Sequence, residues 1–292
     1  MANRKKYVIN ASGENIPFSP EKLAQSLRHS GADEKTIAGI TREISRHIYD
    51  GVSTKKIYRQ AYAMLRKRSP HFGGRYKLKE ALLELGPSGF PFEKFVARVL
   101  HHRGYETKLN VIMQGSCVRH EVDVLAAKDN NEIMIECKYH NQRGLKSDVK
   151  IPLYVHSRFR DIQRYREQRT EKSLVAFTGW LVTNTRFTGD AYQYGTCAGL
   201  HLVSWDQPEN ESLKEMIDMT GLHPLTCMSS LSKSEKIALL HEGVVLCNDL
   251  ENSRDLLYKM DIPPARVERI IREAGRITQN AMQEPMQKAK QV

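Results

Sequence analysis

Three charged side chains fall close together in one pair of predicted strands. Asp123 lies in a β-branched run that ends before the turn residues 129–131, and Glu136 and Lys138 lie in the run that follows. Two such runs around residues that tolerate a left-handed backbone predict a β-hairpin. Because side chains alternate along a strand, Glu136 and Lys138 share a face, and Asp123 lies opposite one or the other, depending on the register. Either register brings all three side chains to one face.

This arrangement suits the hydrolysis of a phosphodiester. Two carboxylates a few ångströms apart repel each other unless a divalent cation lies between them. Such a cation polarises a phosphoryl oxygen and lowers the pKa of its bound water, and an adjacent ammonium group can orient that water. The spacing alone also fits a solvent-exposed hairpin whose charges form a cross-strand ion pair, so both interpretations stay open on this pattern.

The motif Asp123…Glu136-x-Lys138 resembles the signature of the PD-(D/E)xK nucleases. The segments around it are similar to the opening and the end of Mrr-like restriction endonucleases and archaeal Holliday-junction resolvases. This resemblance covers roughly residues 89–206, and its flanking segments are 89–96, 104–105, 179–188 and 199–203.

The resemblance implies a role for four side chains. Asp123 and Glu136 would bind Mg²⁺ or Mn²⁺, Lys138 would be the catalytic lysine, and Glu93 in the preceding helix would assist at the metal. The implied activity is metal-dependent hydrolysis of DNA, with a role in restriction or defence. Two alternatives stay open: a non-catalytic, nucleotide-responsive DNA-binding regulator, and a structure-specific junction resolvase. The sequence does not fix the form of the nucleic acid, nor whether the chain works as a homodimer or a higher homo-oligomer.

Positive charge is concentrated in the first third of the chain. Residues 1–88 contain 17 basic and 8 acidic side chains, residues 89–210 contain 17 and 14, and residues 211–292 contain 11 and 12. A net charge of +11 indicates a polyanionic partner, and this distribution directs the search for it to the N-terminal region.

Local periodicity predicts an α/β multidomain protein. Residues 1–87 form a β-hairpin and a helical bundle, and residues 88–210 alternate strands with helices as an α/β nuclease core does. Residues 211–277 form a small helical domain, and residues 278–292 lack apolar periodicity, which predicts a disordered tail.

The N-terminal region resembles the ATP-cone, a regulatory module that binds adenine nucleotides. The resemblance is carried by residues 7–14, 17–23, 48–58 and 75–82, and it implies ATP or dATP as a regulatory ligand. A turn at Gly13, helix N-termini and clustered ammonium groups would make a triphosphate pocket. The candidate residues are Lys5, Lys6, Val8, Asn10, Gly13, Lys22, Thr54, Lys55 and Tyr58.

One departure from the ATP-cone pattern concerns the residues before that turn. The usual Lys-Arg pair is replaced by Asn10 and Ala11, so the phosphates would be anchored elsewhere, and the ligand need not be ATP. The alternative is a bundle of the same fold that uses its positive charge to bind DNA.

The C-terminal region resembles a helix-hairpin-helix unit over residues 231–250 and 260–271. Such units present backbone N–H groups to DNA phosphates, but Pro263 and Pro264 stand where glycines are expected. Protein contact and packing within the chain therefore stay open beside DNA binding, and the pattern favours DNA binding over neither of them.

Three observations predict a cytoplasmic protein without a membrane partner. No apolar run approaches the ~20 residues that a membrane-spanning helix needs, and the basic start lacks the apolar core of a signal peptide. The five cysteines are odd in number and form no C-x-x-C pair, which indicates free thiols in a reducing compartment.

Overall fold

The N-terminal region is a small sheet covered by helices. In the computed structural model, residues 6–10, 13–169 and 175–278 are described. The first elements are β1 (Tyr7–Ile9), β2 (Asn15–Pro17), α1 (Pro20–His29), α2 (Glu34–His47), β3 (Val52–Ser53), α3 (Thr54–Arg68), α4 (Pro70–Tyr76) and α5 (Leu78–Leu83). Strands β1 and β2 form the predicted hairpin, and β3 pairs in parallel with β1. The β3 pairing was not predicted, because a strand of two residues has no periodicity.

Apolar residues at helical spacing build the core of this region. Ile37, Ile40 and Ile44 of α2 are buried together with side chains of α1 and α3 and with Val8 of β1. The hydroxyls of Ser19 and Ser53 accept hydrogen bonds from the backbone N–H groups of Lys22 and Lys56, as their positions before α1 and α3 predict. Helix α5 differs, because its buried side chains belong to the core of the rest of the chain.

The central region is an α/β unit built on a five-stranded sheet. Its elements are α6 (Phe90–His102), β4 (Glu106–Gln114), β5 (Arg119–Lys128), β6 (Asn131–Lys138), β7 (Lys146–Ser147), α7 (Lys150–Arg169), β8 (Ala176–Thr183), β9 (Arg186–Phe187), α8 (Gly189–Cys197) and β10 (His201–Val203). The strand order is β10-β8-β6-β5-β4. The β4, β5 and β6 pairings are antiparallel, whereas β8 lies parallel to both β6 and β10. The mixed α/β core agrees with the predicted fold class.

Helices cover both faces of this sheet. Helix α6 packs Phe92, Phe95 and Val96 in one cluster with Ile133 and Ile135 of β6. On the other face, α7 and α8 pack around Met134 of β6, through buried side chains that include Val155, Phe159, Ile162 and Ala191. Strand β6 is therefore buried on both sides, and its charged end emerges between the two helical layers.

The C-terminal region is helical and shares a core with the sheet. Its helices are α9 (Leu213–Thr220), α10 (Lys233–His241), α11 (Arg254–Lys259) and α12 (Pro264–Thr278), with 3₁₀ turns at Leu225–Cys227 and Cys247–Ser253. Its buried side chains form one cluster with α5, α6 and one sheet face. The predicted packing within the chain is therefore observed, whereas DNA binding and protein contact by this region stay predictions. Residues 279–292 of the predicted tail lie outside the described residues.

No helix among the described residues is both long and apolar enough to cross a membrane.

The contact between α7 and the sheet depends on a glycine. A Cβ atom at Gly179 of β8 would lie 3.0 Å from Cδ2 of Phe159 and 2.9 Å from Cδ2 of Leu200. We expect Gly179→Ala to lower the free energy of unfolding by about 1–3 kcal/mol, the usual cost of overpacking a core. Urea denaturation measures this change. Gly189→Ala is the matched control, because no atom lies within 4 Å of that Cβ position. An equal loss in the two variants would contradict the packing argument.

Candidate active site

The register of the central hairpin brings two carboxylates face to face. Strands β5 and β6 pair Val124 with Ile135 and Lys128 with Asn131, around a turn in which Asp129 has a left-handed φ of 52°. Continued by one residue, this register sets Asp123 opposite Glu136. It is the second of the two registers that the sequence left open. The backbone N–H of Cys137 donates to Oδ2 of Asp123 at 2.7 Å and holds the carboxylate in place.

The pairing of strand β5 with β4 is interrupted at Asp123, and the packing of its side chains changes there. The ladder to β4 pairs Leu109 with Val124 and Val111 with Val122, but it passes over Asn110 and Asp123 within these described strands. Asn110 has a left-handed φ of 51°. The buried residues on either side of Asp123, Val122 and Val124, belong to different core clusters. The distortion therefore coincides with the site.

A third carboxylate comes from the first turn of α6. Burial, followed by the charges of Asp123 and Glu121, raises the pKa of Glu93 to about 7. Burial and then the charge of Asp123 raise the pKa of Glu136 to about 7 as well. The pKa of Asp123 is also raised, mainly by burial. The structure thus brings Glu93, Asp123 and Glu136 into one poorly solvated cluster of like charge.

Arg158 of α7 is the cation that faces this cluster. Its Nη1 donates to Oε2 of Glu136 at 2.6 Å, with only 11% and 19% of the two side chains exposed. A second guanidinium nitrogen donates to the backbone oxygen of Glu121, and the guanidinium lies 5.3 Å from the ring centre of Tyr154. Arg158 was not among the residues predicted from the sequence. The only signal was the basic and aromatic composition of its helix.

Lys138 lies at the end of β6, two residues beyond Glu136, and pairs with Thr183 of β8. Its side chain is half-buried, and within the described part of the chain it makes no ion pair. Because alternate residues of a strand share a face, its ammonium group lies on the same face of β6 as the Glu136 carboxylate.

The donor set fits a hard divalent cation. Among the described residues, no group of three or more His, Cys, Asp or Glu side chains is arranged to hold a metal ion. Mg²⁺, however, keeps several waters and needs only one or two carboxylates. Asp123 and Glu136 provide two, and burial raises the pKa of both, so ionising them together without a cation is costly.

Two neighbouring residues have structural roles. His120 lies 2.8 Å from the carboxylate of Asp161 in α7, and that carboxylate also accepts hydrogen bonds from the backbone N–H groups of Cys117 and Val118. The group joins the turn between β4 and β5 to α7. Burial raises the pKa of the Cys137 thiol well above its usual range, so the thiol stays protonated and is no nucleophile.

The residues predicted to bind a nucleotide do not all lie together. Lys5 lies outside the described residues. Asn10 and Gly13 border the hairpin turn, and Thr54 and Lys55 begin α3, beside the end of β1. The other four are more separate: Lys6 donates to the backbone oxygen of Ile48 at 2.6 Å, Val8 is buried, Lys22 is exposed on α1, and Tyr58 stacks on Tyr76.

Comparison with known proteins identifies two regions of the chain. Residues 86–208 match the restriction endonuclease family Mrr_cat, which confirms the Mrr-like resemblance of the central region. Residues 223–278 match the family described as AF1548-like, C-terminal. The ATP-cone resemblance of the N-terminal region stays a prediction.

Two relatives each match nearly two thirds of this chain. An uncharacterized protein of Archaeoglobus fulgidus is 33% identical over 184 residues, which are 62% of this chain and 99% of that protein. A crystal structure described as that of a protein of unknown function, AF1548, is 31% identical, covers 65% of this chain and 98% of its own, and superposes with a TM-score of 0.54. The chain therefore spans nearly the full length of both relatives.

The carboxylate cluster predicts a pH-dependent effect of divalent cations on stability. Glu93 and Glu136 have pKa values raised to about 7, above the values of about 4.5 in an unfolded chain. Without a cation, their contribution to stability therefore falls as the pH rises from about 4.5 through 7, because the folded state must release protons that it holds more tightly. Mg²⁺ or Mn²⁺ should therefore raise the thermal midpoint of unfolding at pH 8 and change it little at pH 5. At a cation concentration of 100 times Kd, the gain in the free energy of unfolding at pH 8 is ~2.7 kcal/mol.

Asp123→Asn should abolish this shift while its amide oxygen still accepts the hydrogen bond from Cys137. Asp129→Asn is the matched control, since it makes the same change in the exposed turn of the same hairpin. A shift of equal size in Asp123→Asn, or a larger shift at pH 5 than at pH 8, would rule out this metal site.

Proposed function

We propose that this chain, which belongs to the family that joins an Mrr-type restriction endonuclease domain to an AF1548-like C-terminal domain, is a metal-dependent DNA endonuclease. The observation that carries the proposal is the convergence of Glu93, Asp123 and Glu136 from a helix and two strands, with Lys138 two residues after Glu136 on the same strand. Half-buried carboxylates that destabilise each other at neutral pH are costly to retain, and perturbed pKa values of this kind concentrate at functional sites.

Each side chain has a distinct chemical task. Asp123 and Glu136 would hold the divalent cation, which when bound supplies Lewis-acid polarisation of a phosphoryl oxygen and a water of lowered pKa. The ammonium group of Lys138 orients the attacking water and offsets negative charge that develops on the phosphate. Glu93, with its pKa raised to about 7, can accept a proton near neutral pH.

Arg158 contributes a further positive charge. It forms the 2.6 Å ion pair with Glu136, and its guanidinium would attract a DNA phosphate oxygen to that side of the site. The basic helix α7 would then contact the DNA backbone on the same side as the scissile phosphate. In a restriction-type protein, we propose that the substrate is foreign DNA.

The same ion pair also favours a second candidate function. A guanidinium that neutralises Glu136 replaces part of what a metal would supply, as expected if the fold has been retained as a DNA-binding regulator without catalysis. The two functions differ in their response to magnesium. A regulator shifts DNA in EDTA and does not cut it when Mg²⁺ is added.

We also propose that the N-terminal region regulates the nuclease by binding a nucleotide. The parallel pairing of β1 with β3 sets the turn near Gly13 beside the first turn of α3. The backbone N–H groups in the first turn of α3 and the exposed ammonium group of Lys55 favour the binding of a phosphate beside the hairpin turn. Lys6 contributes less, because its ammonium already donates to the backbone oxygen of Ile48.

Removal of the site residues should abolish cleavage. We expect Asp123→Asn or Lys138→Ala to reduce Mg²⁺-dependent cleavage of DNA about 100-fold or more, since each removes charge that acts in the transition state. The measurement is the initial rate of cleavage on linear, branched and methylated duplexes, with and without EDTA. The control variants are Asp129→Asn and Lys146→Ala, which remove exposed charges outside the site. Undiminished cleavage in Asp123→Asn or Lys138→Ala would refute the assignment, and a rate confined to branched DNA would identify a junction resolvase.

Nucleotide binding to the hairpin side is tested by calorimetry. The full chain is titrated with ATP and with dATP, and Lys55→Ala should weaken binding several-fold through the loss of one charge-assisted contact. Lys35→Ala on α2 is the control, as another exposed lysine of the same region. Absence of heat with either nucleotide, or the same loss in both variants, would contradict this proposal.

A further inference from the structure

A cleft lined by arginines lies where the N-terminal and C-terminal regions meet. It has a volume of about 590 Å³ and is bordered by Arg66 of α3, His71 of α4 and one face of α12. The arginines of that face are Arg266, Arg269, Arg272 and Arg276. Together with Arg66 they form what we call the arginine cleft. It is separate from both the carboxylate cluster and the hairpin turn.

The sequence of α12 explains how this face forms. Its arginines recur every three or four residues and so follow one side of the helix, while Val267, Ile270 and Ile277 are buried on the other side. Helix α4 packs closely on that buried side. A Cβ atom at Gly74 would lie 2.9 Å from Cδ1 of Ile277, and Nε of Arg75 donates to the backbone oxygen of Ile277 at 2.7 Å. The cleft is therefore fixed by a tight contact between the two helices.

The positive charge of the cleft is largely uncompensated. Arg266 forms an ion pair with Glu235 at 2.6 Å, but Arg66, Arg269, Arg272 and Arg276 make no ion pair within the described ranges. Among the residues that the structure describes, Glu273 is the one acidic residue that lines the cleft.

Glu273 offsets only one of these positive charges, and hydrogen bonds hold its carboxylate in place. It accepts hydrogen bonds from the backbone N–H groups of Ser229 and Ser230, both at 2.8 Å, and from the Ser229 hydroxyl at 2.6 Å. The pKa of His71 is lowered, first by burial and then by the charges of Arg75 and Arg276, as expected beside a positive potential. Four guanidinium groups thus surround one concave space and repel each other unless an anion enters it.

We propose that the arginine cleft binds a small ligand that carries several phosphate groups. Its volume lies within the ~300–1,000 Å³ of small-molecule sites. A duplex presents its phosphates along an extended backbone, whereas these arginines surround one local space. Guanidinium groups bind phosphate oxygens in pairs and in a fixed plane, so four of them match the charge and the donors required by a triphosphate.

The ligand would also join two parts of the chain. Arg66 and His71 belong to the N-terminal region, and the remaining arginines belong to α12, so a phosphate chain that contacts both reinforces the α4–α12 contact. This inference does not depend on nuclease activity, since it would hold equally for a DNA-binding regulator.

The test is a calorimetric titration of the full chain with sodium tripolyphosphate and, separately, with ATP. Wild-type protein should bind one tripolyphosphate, and Arg269→Ala/Arg276→Ala should lose at least about 10-fold in affinity, because each contact to a charged group contributes ~1.5–3 kcal/mol. Both side chains are exposed, so the fold should be unaffected. The matched control is Arg42→Ala/Arg46→Ala, which removes two exposed arginines from α2.

Further arms identify the ligand and the geometry of recognition. Arg269→Lys/Arg276→Lys keeps the charge but not the planar fork, and it should bind with intermediate affinity. Equal affinity for ATP and tripolyphosphate means that the phosphates alone are recognised, whereas tighter binding of ATP means that the nucleoside also contributes; both results support the site. No binding of tripolyphosphate, or an equal loss in the Arg42/Arg46 control, would overturn the proposal. The proposal would also be overturned if the wild-type protein binds no tripolyphosphate and Arg269→Ala/Arg276→Ala lowers its affinity for duplex DNA, because the cleft would then bind DNA.

Discussion

The structure depends on keeping three carboxylates of like charge close together away from bulk water. Glu93, Asp123 and Glu136 come from α6, β5 and β6, and burial is the largest cause of the raised pKa of each. Like charges in a poorly solvated space favour separation or protonation. The fold must therefore hold the three backbones rigidly and supply compensating donors, and the N–H of Cys137 and the guanidinium of Arg158 are those donors.

A buried polar network supplies part of this rigidity. Asn184, directly after β8, accepts a hydrogen bond from the N–H of His140, and its amide donates to the backbone oxygens of His140 and Leu82. The hydroxyl of Tyr139 donates to the backbone oxygens of Leu83 and Gly86. The end of β6 is thus joined to the segment that precedes α6. One network consequently positions both the strand that carries Glu136 and Lys138 and the helix that carries Glu93.

Sequence patterns predicted the elements better than the contacts between them. Apolar periodicity placed the helices and the main strands, because burial of one face is a local property of the sequence. The hairpin was predicted with two registers, and the left-handed Asp129 selected between them. The distortion at Asn110 gave no signal, since it arises from pairing between strands and not from either strand alone. Arg158 was missed for a similar reason, because 22 residues separate it from Glu136 along the chain.

Charge totals were the least informative part of the sequence. Residues 211–292 contain nearly equal numbers of basic and acidic side chains, yet α12 directs four arginines to one side. Charges are screened beyond ~8–10 Å at physiological salt, so a ligand responds to the nearest face of a helix and not to the sum over a domain. The same argument applies to the central region, where a small positive excess conceals a cluster that is locally negative. A net charge of +11 therefore describes two opposite environments, one arranged for a cation and one for an anion, and only the fold separates them.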